Sequence, residues 1–357
     1  MVAEIIFAGC CFFVIGLIIS LVSNKLLLSF SQTLGIRNKN DITVRWSNES
    51  KPSLGGVAFF VAFLLGAIAY SIIFYTENIF HNKEFVGLFG AGLIAFIMGL
   101  ADDAYNTKPY LKLTIQILCG LILVATDSLI TITPVFFLNA LLTVTWVVLI
   151  MNSLNMLDNM DGITGTNALF ILATCLASDI ILYDWNMNLW TLTLCVQVGA
   201  LVGFLYFNVH PSKLFMGDAG SQFIGLFTAF FAIHDLSNIG MKTSTSPLIS
   251  VIIILIAFTP TLVDTLSVVI NRIKKGKSPM VGGKDHTTHH LVYAGYTDRQ
   301  VWYIFLLLSV TSLLVSILAI YAAKWKMIVL VYSLTIYVIA VFMFLYEKTI
   351  RFKQKNK

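Results

Sequence analysis

Residues 152–162 read Asn-Ser-Leu-Asn-Met-Leu-Asp-Asn-Met-Asp-Gly and lie between two strongly apolar segments. The run holds two aspartates, three asparagines and no basic residue. Such side chains are costly inside a bilayer, so a polar run flanked by apolar spans must lie at the membrane surface or line a wet cavity. Asn155, Asp158 and Asp161 recur every third residue, and a helical continuation would put all three on one face. Oxygen side chains that converge on one point suit a hard cation such as Mg²⁺. The alternative is a polar loop that only joins two helices.

Composition supports the apolar surroundings. The chain has 357 residues, 58% of them hydrophobic and 11% charged, with a mean hydropathy of +0.86. An ordinary soluble domain carries roughly 25% charged residues, so the fold class is all-α and the chain a polytopic integral membrane protein, a single transmembrane domain over 1–357. Nucleic-acid binding is excluded as a main activity, because no basic stripe interleaved with aromatics is present. The five cysteines all fall in apolar segments and none forms a C-x-x-C. They read as small buried hydrophobes, not as a disulfide framework or a zinc site. The apolar run from Ile5 to about Leu28 is too long for a signal-peptide core and reads as a retained first span.

A span needs about 20 apolar residues. Eleven candidates run roughly over 5–28, 54–76, 85–101, 110–126, 134–151, 163–182, 188–207, 221–235, 247–270, 301–323 and 327–346. With eleven spans, 19 of the 23 Lys and Arg residues fall on one side, and only Lys83, Lys242, Lys324 and Lys326 on the other. The positive-inside rule then puts the N-terminus outside and the C-terminus, with its basic tail 347–357, in the cytoplasm. The acids Asp102, Asp103, Asp158, Asp161, Asp218, Asp285 and Asp298, and the histidines His286, His289 and His290, gather on the same cytoplasmic face.

Five groups of residues there can carry chemistry. Lys51-Pro-Ser-Leu-Gly55-Gly56 ends the first cytoplasmic loop; the glycines permit close backbone approach and Lys51 can meet a phosphate. Asp102-Asp103 closes the third span, and adjacent carboxylates at a membrane boundary repel unless a cation or proton offsets them. Lys112 and Gln116 are one turn apart on the fourth helix. The connection Asn208-Val-His210-Pro-Ser-Lys213-Leu-Phe-Met-Gly217-Asp218-Ala-Gly220-Ser221 sets Asp218 between glycines at a helix start, as an anion-site residue or as a plain N-cap. The loop 271–300 carries Asp285-His286-Thr-Thr-His289-His290, suited to phosphate contact more than to zinc, because no cysteine or spaced ligand set accompanies it. Asp264, inside the ninth span and two turns before Arg272, is an intramembrane carboxylate and so a functional candidate or an ion-pair partner.

Together these motifs resemble one family, the polyprenyl-phosphate N-acetylhexosamine-1-phosphate transferase superfamily (glycosyltransferase family 4). The likeness runs from about Arg45 to Val301. It rests on four motifs in the family's order: the Asp-Asp pair, N-x-x-N-x-x-D-x-x-D-G, F-N-x-x-P-x-K-x-F-M-G-D-x-G-S and a histidine loop. The resemblance implies that UDP-HexNAc and a polyprenyl (undecaprenyl) phosphate give polyprenyl-diphospho-HexNAc and UMP, with Mg²⁺ or Mn²⁺, at the cytoplasmic face of the plasma membrane. By the same resemblance Asn155 and Asp218 hold the metal, and Asp102 and Asp103 serve the lipid phosphate and its deprotonation. Lys112 meets phosphate, Asp158 and Asp161 line the nucleotide pocket, and Asp285, His289 and His290 close over the diphosphate. Lys51, Gly55, Gly56, Asn152, Asn208, Lys213 and His286 are assigned to substrate contact. A homodimer is carried as a further expectation. Because a phosphate monoester is mostly ionised near neutral pH, positioning ranks above general-base work for the Asp pair.

Two departures bear on the branch. Many relatives read D-G-x-D-G where this chain has Asp158-Asn159-Met-Asp161-Gly162, and many space the histidines H-x-H-H where this chain has His286-Thr-Thr-His289-His290. The histidine loop does not look like that of the MurNAc-pentapeptide branch of peptidoglycan synthesis. The favoured branch starts O-antigen, teichoic-acid or similar polymers with UDP-GlcNAc or another UDP-HexNAc. A secondary transporter is the rival from another class, but its site would lie near the midplane on broken helices. A CDP-alcohol phosphotransferase would need an Arg in D-G-x-x-A-R, and Asp161-Gly162 is followed by Ile-Thr-Gly-Thr.

Overall fold

The computed structural model describes residues 2–33, 51–75, 77–183, 188–278 and 282–352. Arg37, Lys39 and Arg45 of the first loop, Asp184, and the end of the basic tail from 353 lie outside them. The described residues form helices and no strand. In chain order these are α1 (Val2–Thr33), α2 (Gly55–Ile73), α3 (Lys83–Tyr105), α4 (Pro109–Ala125), α5 (Phe136–Leu157), α6 (Ile163–Tyr183), α7 (Leu189–Asn208) and α8 (Gly217–Phe231). A π-turn over Ala232–Leu236 leads to α9 (Ile239–Lys242), α10 (Pro247–Ala257), α11 (Thr259–Lys274), α12 (Thr287–Tyr293), α13 (Asp298–Lys324), α14 (Ile328–Ser333) and α15 (Thr335–Arg351).

Nine helical stretches among the described residues are long and apolar enough to cross a membrane, and ten if the bent pair α10–α11 is one span. Nine of the eleven expected spans coincide with these nine stretches. The fourth corresponds to α4, which has only 17 residues. The ninth is not the continuous helix expected over 247–270: α10 and α11 meet at an angle of 81°. Pro260 at the start of α11 has no N–H for α10's ladder, and its ring excludes a continuous turn, so the chain breaks at Phe258.

The core is built around α8, in which every residue from Ala219 to Phe231 is buried. It packs on α2, α3, α5 and α6. Phe223 and Phe227 lie among Phe60 and Phe63 of α2, with ring centroids 5.5–6.0 Å apart. In a bilayer apolar side chains gain little by leaving lipid, so helix association depends on close fit. The fit is close where α2 meets the start of α8: a Cβ on Gly56 would fall 2.1 Å from the Gly220 Cα. This contact, with the packing of α3 and α5 on α8, draws the C-terminal ends of α3 and α5 to the N-terminus of α8.

Candidate active site at the helix ends

The third helix ends in an Asp-Asp pair and is stopped by Asn106, whose φ of +49° is the left-handed conformation that asparagine tolerates. Asp102 is buried; its Oδ1 accepts from the Thr107 amide at 2.8 Å and from the Thr107 hydroxyl, and its Oδ2 is ion-paired with Lys112 of α4. The same Lys112 Nζ reaches the Asp218 Oδ1 at 3.3 Å. Asn155, in the last turn of α5, donates its Nδ2 to that oxygen at 2.5 Å and to the Ser221 Oγ at 2.8 Å. One carboxylate oxygen of α8 thus collects contacts from α4 and α5, while the other oxygen of Asp102 holds the loop after α3.

Asp218 is not an N-cap. It sits in the first turn of α8, and the third amide of that turn, on Ala219, is instead satisfied by Asp103 Oδ2 at 2.9 Å. A helix needs acceptors for its first amides, and α3 supplies one from outside. Gly217, φ +75°, makes the turn into α8, and a Cβ there would press on the Ser53 carbonyl at 2.5 Å.

The shared helical face expected for Asn155, Asp158 and Asp161 does not form. The helix ends at Leu157, Asp158 caps it, and Gly162 at φ +76° turns the chain into α6. Asp161 therefore points elsewhere: it accepts from the Ser212 amide at 3.0 Å and hydroxyl at 2.8 Å and lies 3.3 Å from His210 Nδ1. Lys51 joins this second cluster through Ser212 Oγ at 3.4 Å. Asn208 is buried and structural in its contacts, accepting from the Gly162 amide and donating to the Leu214 carbonyl. The Gly55 and Gly56 amides donate to the carbonyls of Phe215 and Met216 at 3.0 and 2.9 Å, so the close approach they permit is to the chain's own loop. Lys213 is exposed and lies over the Tyr206 ring. Asn152, one turn below Asn155, donates to Gln116 at 2.6 Å.

Between the two clusters Asp158 registers their charge. Its carboxyl is pushed up to about 8, first by burial and then by the charges of Asp218, Asp103 and Asp161. Excess negative charge at the ends of α3, α5 and α8 is the condition under which a cation binds.

The histidine loop is balanced differently. Asp264, fully buried in α11, does not pair with Arg272; its Oδ2 lies 2.9 Å from His286 Nδ1, and its Oδ1 accepts from the Thr287 amide at 2.8 Å and hydroxyl at 2.6 Å. Arg272 makes a two-pronged pair with Asp285, Nε–Oδ2 2.8 Å and Nη2–Oδ1 2.7 Å. Burial alone would raise Asp285, but the hydrogen bonds and charge of Arg272 outweigh it and hold the carboxyl below its usual range. Burial and the neighbouring His286 push His289 down to about 3, and burial lowers His290. Both are therefore neutral at pH 7. The His290 Nδ1 contacts the Phe352 carbonyl at the end of α15, and the Thr288 hydroxyl donates to Asn159 Oδ1 at 2.7 Å. That last bond ties α12 to the 158–162 turn and so to the acidic cluster.

The donor set bears on the expected metal. Among the described residues no three His, Cys, Asp or Glu side chains converge as a closed cage. Mg²⁺ needs none: it keeps several waters and takes one or two protein carboxylates together with substrate phosphates. Asp218 fits that open kind of site. Asn155 now offers nitrogen to Asp218 and Ser221, and a half-turn of its amide would offer oxygen instead, with the Ser221 hydroxyl able to donate as well as accept. Sequence reasoning assigned no role to Ser221, Ser212, His210 or Arg272. Ser221 and Ser212 stand inside the quoted 208–221 motif, but only the fold shows what they touch.

The family model described as glycosyl transferase family 4 matches residues 85–235, which include the Asp-Asp pair, Lys112, Asn155, Asp158, Asp161 and Asp218. The chain is 28% identical over 295 residues to a probable undecaprenyl-phosphate N-acetylglucosaminyl 1-phosphate transferase of Bacillus subtilis, covering 80% of this chain and 78% of that one. It is 29% identical over 241 residues to a phospho-N-acetylmuramoyl-pentapeptide-transferase of Streptococcus agalactiae, covering 62% and 71%. It is 28% identical over 274 residues to a decaprenyl-phosphate N-acetylglucosaminephosphotransferase of Mycobacterium tuberculosis, covering 70% and 67%. With three of the four motifs inside the matched stretch 85–235, and acids of all three brought to the ends of α3, α5 and α8 or the turn beside them, this chain is similar to glycosyl transferase family 4 and to its polyprenyl-phosphate N-acetylglucosamine-1-phosphate transferases.

Proposed function

We propose that this protein transfers HexNAc-1-phosphate, with N-acetylglucosamine the favoured sugar, from a UDP-sugar to a polyprenyl phosphate. A phosphate oxygen of the lipid attacks the phosphorus that carries the sugar, a new P–O–P bond forms, and the bond to the UMP phosphate breaks. The single observation that supports this best is the Asp218 oxygen shared by Lys112 and Asn155 beside Asp102 and Asp103. Phosphoryl transfer requires in-line positioning and neutralisation of phosphate charge more than covalent help from the protein. Lys112 meets phosphate; Asp218, with Asn155, is the seat for Mg²⁺, which when bound neutralises diphosphate charge. Asp103 holds the N-terminus of α8 and thereby aims Asp218. Asp161, with Ser212 and Lys51, serves the nucleotide end. The neutral His289 and His290 donate hydrogen bonds to the diphosphate without adding full charges.

In this reading α4 and the bent pair α10–α11 count as membrane segments, giving eleven. The N-terminus is then outside, and the site faces the cytoplasm at the plasma membrane, in keeping with the lysine and arginine asymmetry. The product would start a cell-surface polymer such as a teichoic acid or an O-antigen. The name of the Streptococcus agalactiae relative motivates a second donor, UDP-MurNAc-pentapeptide. The test is UMP release by purified protein in detergent with undecaprenyl phosphate, Mg²⁺ and a panel of UDP-sugars that includes this donor. Release requiring lipid, metal and UDP-GlcNAc is expected. Release only with the pentapeptide donor would move the chain to the other branch, and no release by folded protein would remove the reading.

A further inference from the structure

One helical turn below the charged contacts lies a second layer that the proposed chemistry does not use. Gln116 follows Lys112 by four residues on α4, Asn152 precedes Asn155 by three on α5, and Gln222 follows Asp218 by four on α8. These intervals stack side chains on one helix face. The three amides also join the three helices, with Gln116 of α4 as the middle member: Asn152 Nδ2 donates to Gln116 Oε1 at 2.6 Å, and Gln116 Nε2 donates to Gln222 Oε1 at 3.1 Å. Gln116 and Gln222 are 1% and 2% exposed. The chain of amides ends in a buried donor, Gln222 Nε2, that has no hydrogen-bond partner among the described residues.

Such a layer is unexpected where it is. Apolar residues of the same volume would pack these helices without leaving a buried donor unsatisfied. Nor is the interface otherwise closed: α4 packs on α3 and α5 and has no extensive backbone contact with α8. The bridges between α4 and α8 are two pairs of long side chains, Lys112–Asp218 and Gln116–Gln222, at two heights one turn apart. Two such points fix the height and rotation of α4 against α8, where one flexible lysine would fix neither.

We infer that Gln116 and Gln222, with Asn152, form a positioning layer that sets the register of α4, α5 and α8, so that Lys112 and Asn155 meet on one oxygen of Asp218. None of the amides acts on substrate in this role; they act through Lys112, Asn155 and Asp218. A slip or rotation of α4 would withdraw the Lys112 ammonium from Asp218, and the amide layer opposes it because any shift leaves further buried amide groups unpaired. The inference rests on the proposed transferase reading for its catalytic consequence, but its structural part can be measured without turnover.

The test is Gln222→Met, which keeps the volume, removes the unsatisfied donor and takes away the acceptor of Gln116. Gln222→Glu, which keeps the acceptor oxygens, is the conservative partner. Thermal unfolding in detergent is recorded with and without Mg²⁺, beside UMP release as a function of Mg²⁺ concentration. The apparent melting temperature of Gln222→Met without metal should equal or exceed that of the parent. Its Mg²⁺-dependent upward shift should shrink, and half-saturating Mg²⁺ should rise about tenfold with a similar fall in kcat. The KM for the UDP-sugar should stay within about twofold, and Gln222→Glu should recover most of the loss. An unchanged Mg²⁺-dependent shift and an unchanged Mg²⁺ requirement in a folded Gln222→Met would overturn the inference. So would a variant that merely unfolds, with parental kinetics in its remaining folded fraction. If the parent itself releases no UMP, the transferase reading fails, and the metal-dependent melting shift still decides the positioning layer.

Discussion

The helix-end cluster and the histidine loop both hold aspartates and both are tied to the 158–162 turn, yet their charges are arranged in opposite ways. In the loop each acid has its own cationic or ionisable partner: Asp264 has His286, and Asp285 has Arg272 in two-pronged contact. In the cluster Asp102 and Asp218 divide one ammonium, that of Lys112, between them. The field left over pushes Asp158 up to about 8, after burial has done the larger part. Acids with dedicated partners hold a segment in place. Acids that share one are short of positive charge, and in the proposed transferase reading a divalent cation with a diphosphate ligand would make up the difference. The comparison separates architecture from chemistry among residues that look alike in the sequence.

Substitutions should then split by region. The largest effect is expected from Asp218→Asn, which removes the shared oxygen's charge while keeping its shape. Turnover should fall by about 10³-fold, the scale for losing a preorganised electrostatic contact, with no loss of thermal stability in detergent. A drop below tenfold would take Asp218 out of the metal seat. Asp264→Asn acts on the balanced region and should cost about 10–100-fold in turnover, as for residues that orient a functional histidine. Amide hydrogen exchange in 282–297 should rise at the same time. Loss of turnover without faster exchange there would mean that Asp264 acts in some other way.

The third effect is a pH dependence. Folded His289, 2% exposed, stays neutral down to about 3, whereas the same side chain in an unfolded chain protonates near 6.5. Between these values the unfolded chain holds the extra proton, so stability rises with pH and falls on acidification, by about 1.4 kcal/mol per pH unit at most. Melting temperatures from pH 7 to 5 should drop less steeply in His289→Gln than in the parent; equal slopes would exclude His289 as their source. The smallest effect is expected at the exposed pair Lys83–Asp127, 3.4 Å apart with side chains 76% and 69% exposed. Lys83→Ala should leave turnover within twofold and stability within about 0.5 kcal/mol, because exposed pairs contribute little.

Much of this was legible in the chain itself. Apolar runs of span length reveal helices because backbone groups in lipid must bond within the segment, and nine of the eleven runs are helices long enough to cross. The break at Phe258 was missed because the hydropathy of 247–270 is continuous while the backbone consequence of Pro260 is local. Spacing alone suggested one face for Asn155, Asp158 and Asp161, but Gly162 ends the helical path and sends Asp161 to Ser212. Motif order drew attention to Asp102, Lys112 and Asp218, residues as far apart in sequence as 102 and 218 that the fold joins through one lysine. What no one-dimensional reading supplies is which partner each polar group finds. Asp264 read as a functional candidate or an ion-pair partner with the partner unnamed, and the fold supplies it as His286, 22 residues further along the chain.

The most direct measurement is Mn²⁺ binding in the absence of any substrate, followed by electron paramagnetic resonance on the parent, Asp218→Asn and Asp264→Asn proteins in detergent. Charge shortage confined to the helix ends should give saturable binding in the parent and in Asp264→Asn, with affinity at least tenfold weaker in Asp218→Asn. Equal binding by all three proteins, or a loss in Asp264→Asn as large as in Asp218→Asn, would contradict it.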